Sequence, residues 1–572
     1  MDGLQHFPHV ELALQYAEDV GGGEFPCGKY EKLAAKRFLD DLDREGAPFH
    51  FDADIAEQPC RYIERLPHVK GEWAKRHELL VLEPWQCFNV CNVFGWVYTE
   101  DILDGDGIVT LRAGTRRYRT AYTDVARKNA KSTLAAAIGL YMLDADGEAG
   151  AEVYSAATTR NQAKITFEIA NTMAKRTSEL PLEVRVHNIN KPEASAKFEA
   201  LHAQGETLDG YNVHCSINDE LHAWKNRDVY NVIETATGAR VQPLIYNITT
   251  AGHDTSGICY ELRTYLTRIL EGQIQDDSFF GVIYSLDKDD DWTDPKVWRK
   301  ANPNWNISVY PMDVQNLCRK AQEVVSQVNA FLTKRMNVWV NAAEAWMDMR
   351  KWEACYDGAM QLEDFAGEDT FAGLDLASKI DVNSMAQLFE REIDGKQHIF
   401  CFMRHWLPET AVLEDPNAQY DGWVRAGHMR TTPGNVVDVD QIETDTLGEI
   451  NGKFALRELS VDPMHNSTQY GVHMAQQGIL VVDVRPTVLN FSEPMKWLEA
   501  YVKDGTFHHN CPVLTWMISN VEVKRDQKDN IYPRKGAANR KIDGVVALLM
   551  ALNRLRAQEA TYFPGEGVVK VI

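Results

Sequence analysis

The chain has no apolar run of bilayer length, no internal repeat, no low-complexity tract and few cysteines for its size. A membrane-spanning helix needs about 20 consecutive apolar residues, so a bilayer-embedded role is not expected. Met1 to Gln15 lacks a basic region followed by an apolar one, and the protein is expected to stay in the compartment where it is made. Ten cysteines scattered through 572 residues offer no disulfide framework and fit a reducing cytoplasm. Only Cys87 and Cys91 stand close together, and at helical spacing without nearby ligands they read as core rather than as part of a zinc site. Positive charge is also short: 60 Lys and Arg against 83 Asp and Glu leave a formal net charge of −23. Proteins that grip nucleic acid by neutralising phosphate are normally basic, so such a role here requires cations gathered on one face.

What is present is a long chain of globular composition, 44% hydrophobic and 25% charged, too long for a single hydrophobic core. Its pattern divides into a helical cover (1–80), a first α/β domain (81–290), a Trp-, Asn- and Lys-rich helical connecting segment (291–363) and a second domain (364–572). In the first domain, strands are expected over Arg117 to Ala126, Glu152 to Ser155, Val213 to Asn218 and Leu244 to Ile248, with a helix over Ser132 to Leu143. Alternating strands and helices imply a parallel sheet, whose sites lie at the carboxyl ends of strands. Four polar segments fall there: Arg127 to Thr133, Ala156 to Arg160, Asp219-Glu220 and Thr249 to Gly252. The second domain opens with three strand candidates, Phe371 to Leu376, Ser384 to Phe389 and His398 to His405, and closes on a helix beginning near Lys541.

A phosphate loop cradles its anion with backbone N–H groups at a helix start, reaches the outer phosphates with a lysine and binds Mg²⁺ through a hydroxyl. Arg127-Lys128-Asn129-Ala130-Lys131-Ser132, followed by Thr133, supplies that lysine and hydroxyl, although Val125 and Ala130 stand where glycines usually do. A basic stretch ahead of a helix is also an ordinary cap. The apolar strand ending in Asp219-Glu220 favours the loop reading, since the first acid can hold Mg²⁺ and the second can orient and deprotonate water. Upstream, Trp85-Gln86 offers an aromatic face and an amide for an adenine; the same residues fit a buried amphipathic segment.

A second set of acids lies downstream. Cleavage of a phosphodiester is well served by two divalent cations held by carboxylates from different elements. Asp375 interrupts an apolar strand, where a carboxylate is unfavourable unless it binds something. Asp462 ends another strand before Pro463, and Asp543 opens an apolar helix. Taken singly they also fit a paired core acid, a turn residue and a helix N-cap. Close by in sequence, Lys524, Arg525, Lys528, Arg534, Lys535, Arg540 and Lys541 form a candidate DNA-backbone surface or a solvated loop, and His508 and His509 either line a groove or sit on the surface.

The ordered array Trp85-Gln86, Arg127 to Ser132, Asp219-Glu220-Leu221-His222, Thr249 to Gly252, Asp375, Asp462 and Asp543 resembles the large terminase subunits of tailed bacteriophages, most closely the HK97-like branch, over roughly Leu80 to Ala557. The resemblance implies a P-loop (ASCE-type) ATPase domain with a parallel sheet, followed by an RNase H-like α/β nuclease domain. It implies that Arg127 contacts the γ-phosphate, that Thr250 couples hydrolysis to movement and that Asp381 assists the metals. It further implies ATP with Mg²⁺ at Ser132 and Asp219, two Mg²⁺ or Mn²⁺ ions at Asp375, Asp462 and Asp543, and work on double-stranded DNA as a ring on a portal protein. A small terminase subunit and the cytoplasm of an infected bacterium complete the expected setting. A helicase-nuclease of repair and a catalytically silent docking subunit are the rival readings.

Overall fold

The computed structural model describes residues 7–157, 160–201, 210–224, 227–255, 257–342, 346–376, 381–414, 419–450, 453–463, 467–526, 528–536 and 540–559. Thr158 and Thr159 of the Ala156 to Arg160 segment lie outside them. The chain forms two compact units, one of residues 1–324 and 328–340, the other of 325–327 and 341–572.

The first unit is built on an eight-stranded sheet. Its parallel part runs, in spatial order, Phe279–Ile283, Thr120–Asp124, Leu244–Thr249, Cys215–Asn218, Glu152–Ala156 and Ala196–Ala200. Asn188–Lys191 and Glu183–Val184 extend it antiparallel. The central strands are buried along nearly all their length, as strands of a parallel sheet covered by helices on both faces are. The Ala- and Leu-rich helix Lys131–Asp144 lies close on the sheet, where a Cβ at Gly139 would come within 2.8 Å of the Phe198 ring.

The amino-terminal helices Pro8–Gly22, Lys29–Leu42 and Ala53–Glu64 share one hydrophobic core with this sheet, through Val10, Ala13, Phe38 and Ile63 packed with Phe88 and Phe280. All ten cysteines are buried and free; Cys87 and Cys91 sit inside the helix Pro84–Gly95, with Cys60 Sγ 3.7 Å from Cys91 Sγ.

The expected connecting segment 291–363 is divided between the units. Its first part, with the helices Pro311–Glu323 and Val328–Arg335, packs Trp298, Ala301, Phe331 and Met336 against Ala126 and Leu286 of the first unit. Apolar and aromatic side chains here cover the end of the sheet that carries the polar segments, so the stretch is part of a core and not a tether.

The second unit has a sheet ordered Arg430–Thr432, Lys396–Pro408, Asn383–Ile393, Asp369–Asp375, Ala455–Val461 and Val481–Asp483, with Phe507–His509 pairing beside Lys396–Pro408. The three leading strands are antiparallel; Ala455–Val461 then adds parallel to Asp369–Asp375. The helix Asp543–Glu559 lies on this sheet at Gly373, where a Cβ would meet the Ala547 carbonyl oxygen at 2.2 Å.

Candidate active sites

The first site grows out of the loop between Thr120–Asp124 and Lys131–Asp144. Lys128 and Ala130 both take the left-handed backbone, at φ 76° and 57°. Ala130 thus adopts the conformation for which glycine is usually used, at a penalty of about 1–2 kcal/mol for a side chain. Ser308 Oγ donates to the Lys128 carbonyl at 2.6 Å, and the Ala130 carbonyl accepts from the amides of Thr133 and Leu134. Asn129 is fully buried and ties the loop inward: its amide donates to the Ala126 carbonyl and to Asn302, and its oxygen accepts from the Asn304 amide. Asn129 therefore shapes the loop and does not face a ligand with its side chain.

Lys131 is buried, and Nζ donates to the Val125 carbonyl at 3.3 Å. Burial pulls its pKa down, while Glu220, Asp219 and Asp124 act the other way. Ser132 Oγ and Thr166 Oγ1 donate to the same oxygen of Asp219, at 2.8 and 2.7 Å. Burial, and then Glu220, raise the Asp219 carboxyl above its usual range. At Glu220 burial opposes ionisation, yet Lys131, His222, Arg127 and Lys334 hold the carboxyl below its usual value. Glu220 itself has φ 49°, a backbone that turns it out of the strand end, and accepts from Thr250 Oγ1 at 3.4 Å. Arg127 is exposed at the mouth, its amide donating to the Lys334 carbonyl.

A cavity of about 410 Å³ adjoins the loop, lined by Lys128, Ala130, Thr133 and Gln86 together with His68 and Trp73 from the amino-terminal part. Trp85 does not face it. The indole is 2% exposed, stands edge-on to Tyr284 and donates to Asn304, so its ring has no face left for a base. Gln86 caps the helix start with Glu83 and borders the cavity.

The second site joins three elements. Leu374 pairs with Val461, which sets Asp375 and Asp462 side by side at the carboxyl ends of adjacent parallel strands. Asp543 enters from the start of the long helix. Burial, followed by Asp543, Asp462 and Asp381, raises the Asp375 carboxyl well above the usual range; burial and then Asp381 push Asp543 up to about 7. Asp381 is paired with Lys541 at 2.5 Å. Among the described residues no three acid, His or Cys side chains already stand as a closed cation cage.

The expected cationic face is smaller than the sequence indicated. Lys524, Arg525, Arg534 and Lys535 are exposed on a two-stranded hairpin, Val521–Arg525 and Ile531–Lys535, and Lys528 is exposed in its turn. Arg540 is buried and Lys541 turns to Asp381. His508 and His509 neither line a groove nor form a surface pair: His509 is buried and stacked on Trp352, and half-buried His508 stacks on His398.

Residues 84–268 match the family described as terminase large subunit, ATPase domain, and residues 273–559 match terminase large subunit, endonuclease domain. The chain belongs to the terminase large subunit family. It is 27% identical over 450 residues to the terminase large subunit of Enterobacteria phage HK97, covering 76% of this chain and 86% of that one. It is 37% identical over 364 residues to the protein YmfN of Escherichia coli K12, covering 61% of this chain and 79% of YmfN. The crystal structure of the HK97 bacteriophage large terminase aligns over 87% of this chain and 99% of that chain, at 25% identity and a TM-score of 0.42. This terminase subunit is thus an ATPase and an endonuclease of phage DNA packaging, which sets aside the helicase-nuclease and docking readings. None of its described helices is long and apolar enough to cross a membrane.

Two residues packed against this first site had no signal in the sequence. Asn337, fully buried at φ 55°, donates to Asp124 and to the Tyr284 carbonyl and accepts from the amide of Ala251, next to Thr250. Lys334 reaches His222 Nε2 at 3.1 Å. Both lie far along the chain from the motifs they touch, in the segment expected to connect the domains.

Proposed function

We propose that the first site hydrolyses ATP with Mg²⁺ to drive double-stranded DNA into a procapsid, and that the second cuts that DNA with two divalent cations. The observation that carries the first assignment is the meeting of Lys131, Ser132, Asp219, Glu220 and Thr250 at one end of the parallel sheet. A buried lysine beside a left-handed loop suits an anion, and the Ser132–Asp219 pair suits a hard cation. Lys131 and the loop amides hold the phosphates; Ser132 and Asp219 would hold Mg²⁺, which neutralises phosphate charge. Glu220, held ionised, takes a proton from the attacking water, and Arg127 reaches the γ-phosphate from the mouth. Thr250 links the base to the next strand end and couples turnover to movement. The base of the nucleotide occupies the cavity bordered by Gln86 and Thr133.

In the second unit half-buried acids with raised carboxyls, brought to the ends of two adjacent strands and to a helix start, suit divalent cations. Asp375, Asp462 and Asp543 would hold two ions, which activate water and stabilise the leaving oxygen; Asp381 assists from beside them. We assign ATPase work to residues up to Val340 and nuclease work to Asn341 onward. The chain acts in the cytoplasm of the infected cell, as a ring on the portal, with a small subunit bringing the DNA.

ATP turnover and plasmid cleavage measured on one preparation test both halves. Glu220→Gln is expected to lower ATP turnover by about 100-fold or more while leaving cleavage in Mn²⁺ intact. Asp375→Ala is expected to abolish cleavage and spare turnover. Unchanged turnover in the first variant, or linearised plasmid in the second, removes the corresponding assignment.

A further inference from the structure

We propose that Lys334 is a positioning residue for ATP hydrolysis: through His222 it fixes the imidazole tautomer that aims Glu220 at the attacking water. This rests on the reading of Glu220 as the base. A lysine ammonium has only donors, so at 3.1 Å the Nε2 of His222 accepts from it and the ring proton resides on Nδ1. That nitrogen stands 3.2 Å from Thr249 Oγ1 and 3.4 Å from Thr250 Oγ1, and the Thr250 hydroxyl in turn donates to Glu220 Oε2 at 3.4 Å. Glu220 Oε2 is itself 3.2 Å from Nδ1, as a charge contact. The order cation, imidazole, threonine hydroxyl, carboxylate therefore orients the base from behind. Lys334 and His222 keep their protons throughout; the water proton goes to Glu220. Burial, and then Lys334, lower the His222 pKa to about 3, so the ring stays neutral in its bridging role.

A second observation places Lys334 in the machinery rather than beside it. Its carbonyl accepts from the Arg127 amide at 2.9 Å, so the same residue holds the phosphate loop by its backbone and the base by its side chain. Three residues on, Asn337 fixes Ala251, and the Val340 amide donates to the Gly252 carbonyl. One short segment thus ties together the loop, the base and the coupling strand end. Its helix, Val328–Arg335, lies outside every motif used to assign the site.

Steady-state ATP hydrolysis by the full chain with Mg²⁺ tests this. Lys334→Met is expected to lower kcat by about tenfold or more with KM for ATP within about threefold, because the interaction serves the transition state and not binding. Lys334→Arg, which keeps a donor toward Nε2, is expected to hold kcat within about fivefold of the parent. The double variant Lys334→Met, His222→Gln is expected to be no slower than the slower single variant, since both break one relay. A rise in KM alone, losses that multiply in the double variant, or an arginine variant as slow as the methionine one overturns the proposal. Glu220→Gln run alongside separates the two levels: if it turns over normally, the base assignment itself has failed; if it is inactive while Lys334→Met is normal, only the relay has.

Discussion

At the scale of single residues, the left-handed backbone of Ala130 shows that loop shape does not depend on glycine when neighbours hold the carbonyls on either side. The motif residues were legible because each is a chemical oddity in its context: a lysine at a helix start, paired acids ending an apolar strand, an aspartate within Gly373-Leu374-Asp375-Leu376. Lys334 and Asn337 carry no such mark, being an ordinary lysine and asparagine whose meaning comes only from what folds beside them. Trp85 misled for the converse reason: an aromatic next to an amide looks like a base reader, but whether the ring faces a cavity or the core is decided by tertiary packing. Glu31 is a residue whose environment makes its own prediction. It is buried, accepts from Tyr16 Oη at 2.5 Å, and burial raises its carboxyl to about 7. A raised carboxyl contributes stability that is full below its unfolded pKa and is lost as pH rises through the folded one, here between about 4.5 and 7. Glu31→Gln, which keeps an acceptor for Tyr16, is therefore expected to raise the melting temperature at pH 8 and to leave it nearly unchanged at pH 5, the gain being at most about 3 kcal/mol. Melting curves at the two pH values check it; an equal shift at both refutes it.

At the scale of elements, Gly373 sets how closely the helix Asp543–Glu559 can approach the strand that carries Asp375. Because the obstruction is backbone of that helix and not a flexible side chain, Gly373→Ala must push the helix away and move Asp543 with it. The expected result is loss of plasmid cleavage, with destabilisation of the second unit by about 1–3 kcal/mol and ATP turnover unaffected. Normal cleavage would show that the acids do not depend on this approach. The central strands and the long helices were legible from apolar runs and Ala/Leu content, since burial on both faces leaves those patterns directly in the sequence. The antiparallel edge Glu183–Val184 and Asn188–Lys191 was not, being short and polar. The core role of residues 291–340, within the expected helical connecting segment 291–363, is not legible because their aromatics show no strand or helix period; the Trp298, Phe331 and Met336 cluster fills an irregular space.

At the scale of the molecule, a net charge of −23 makes contact with DNA depend on where the cations stand. The cations of the hairpin, Lys524, Arg525, Arg534 and Lys535, stand out from an acidic whole, and Lys535 is among the charges acting on Asp375 and Asp543. The double variant Arg525→Glu, Arg534→Glu is expected to weaken DNA binding and to flatten its salt dependence by about 0.9 in log–log slope for each DNA phosphate that the hairpin no longer neutralises. Binding isotherms at several salt concentrations check this, and an unchanged slope would assign the hairpin to solvent. The stretch from Trp298 to Val340 has a different consequence, for how the polypeptide can be divided. A fragment ended at residue 290 would leave Asn129 without Asn302 and Asn304, Arg127 without the Lys334 carbonyl and Asp124 without Asn337. The first unit is therefore not finished by its own sheet: it is closed by residues 298–340, and during synthesis Arg127, Asn129 and Asp124 lack these partners until translation has passed Val340.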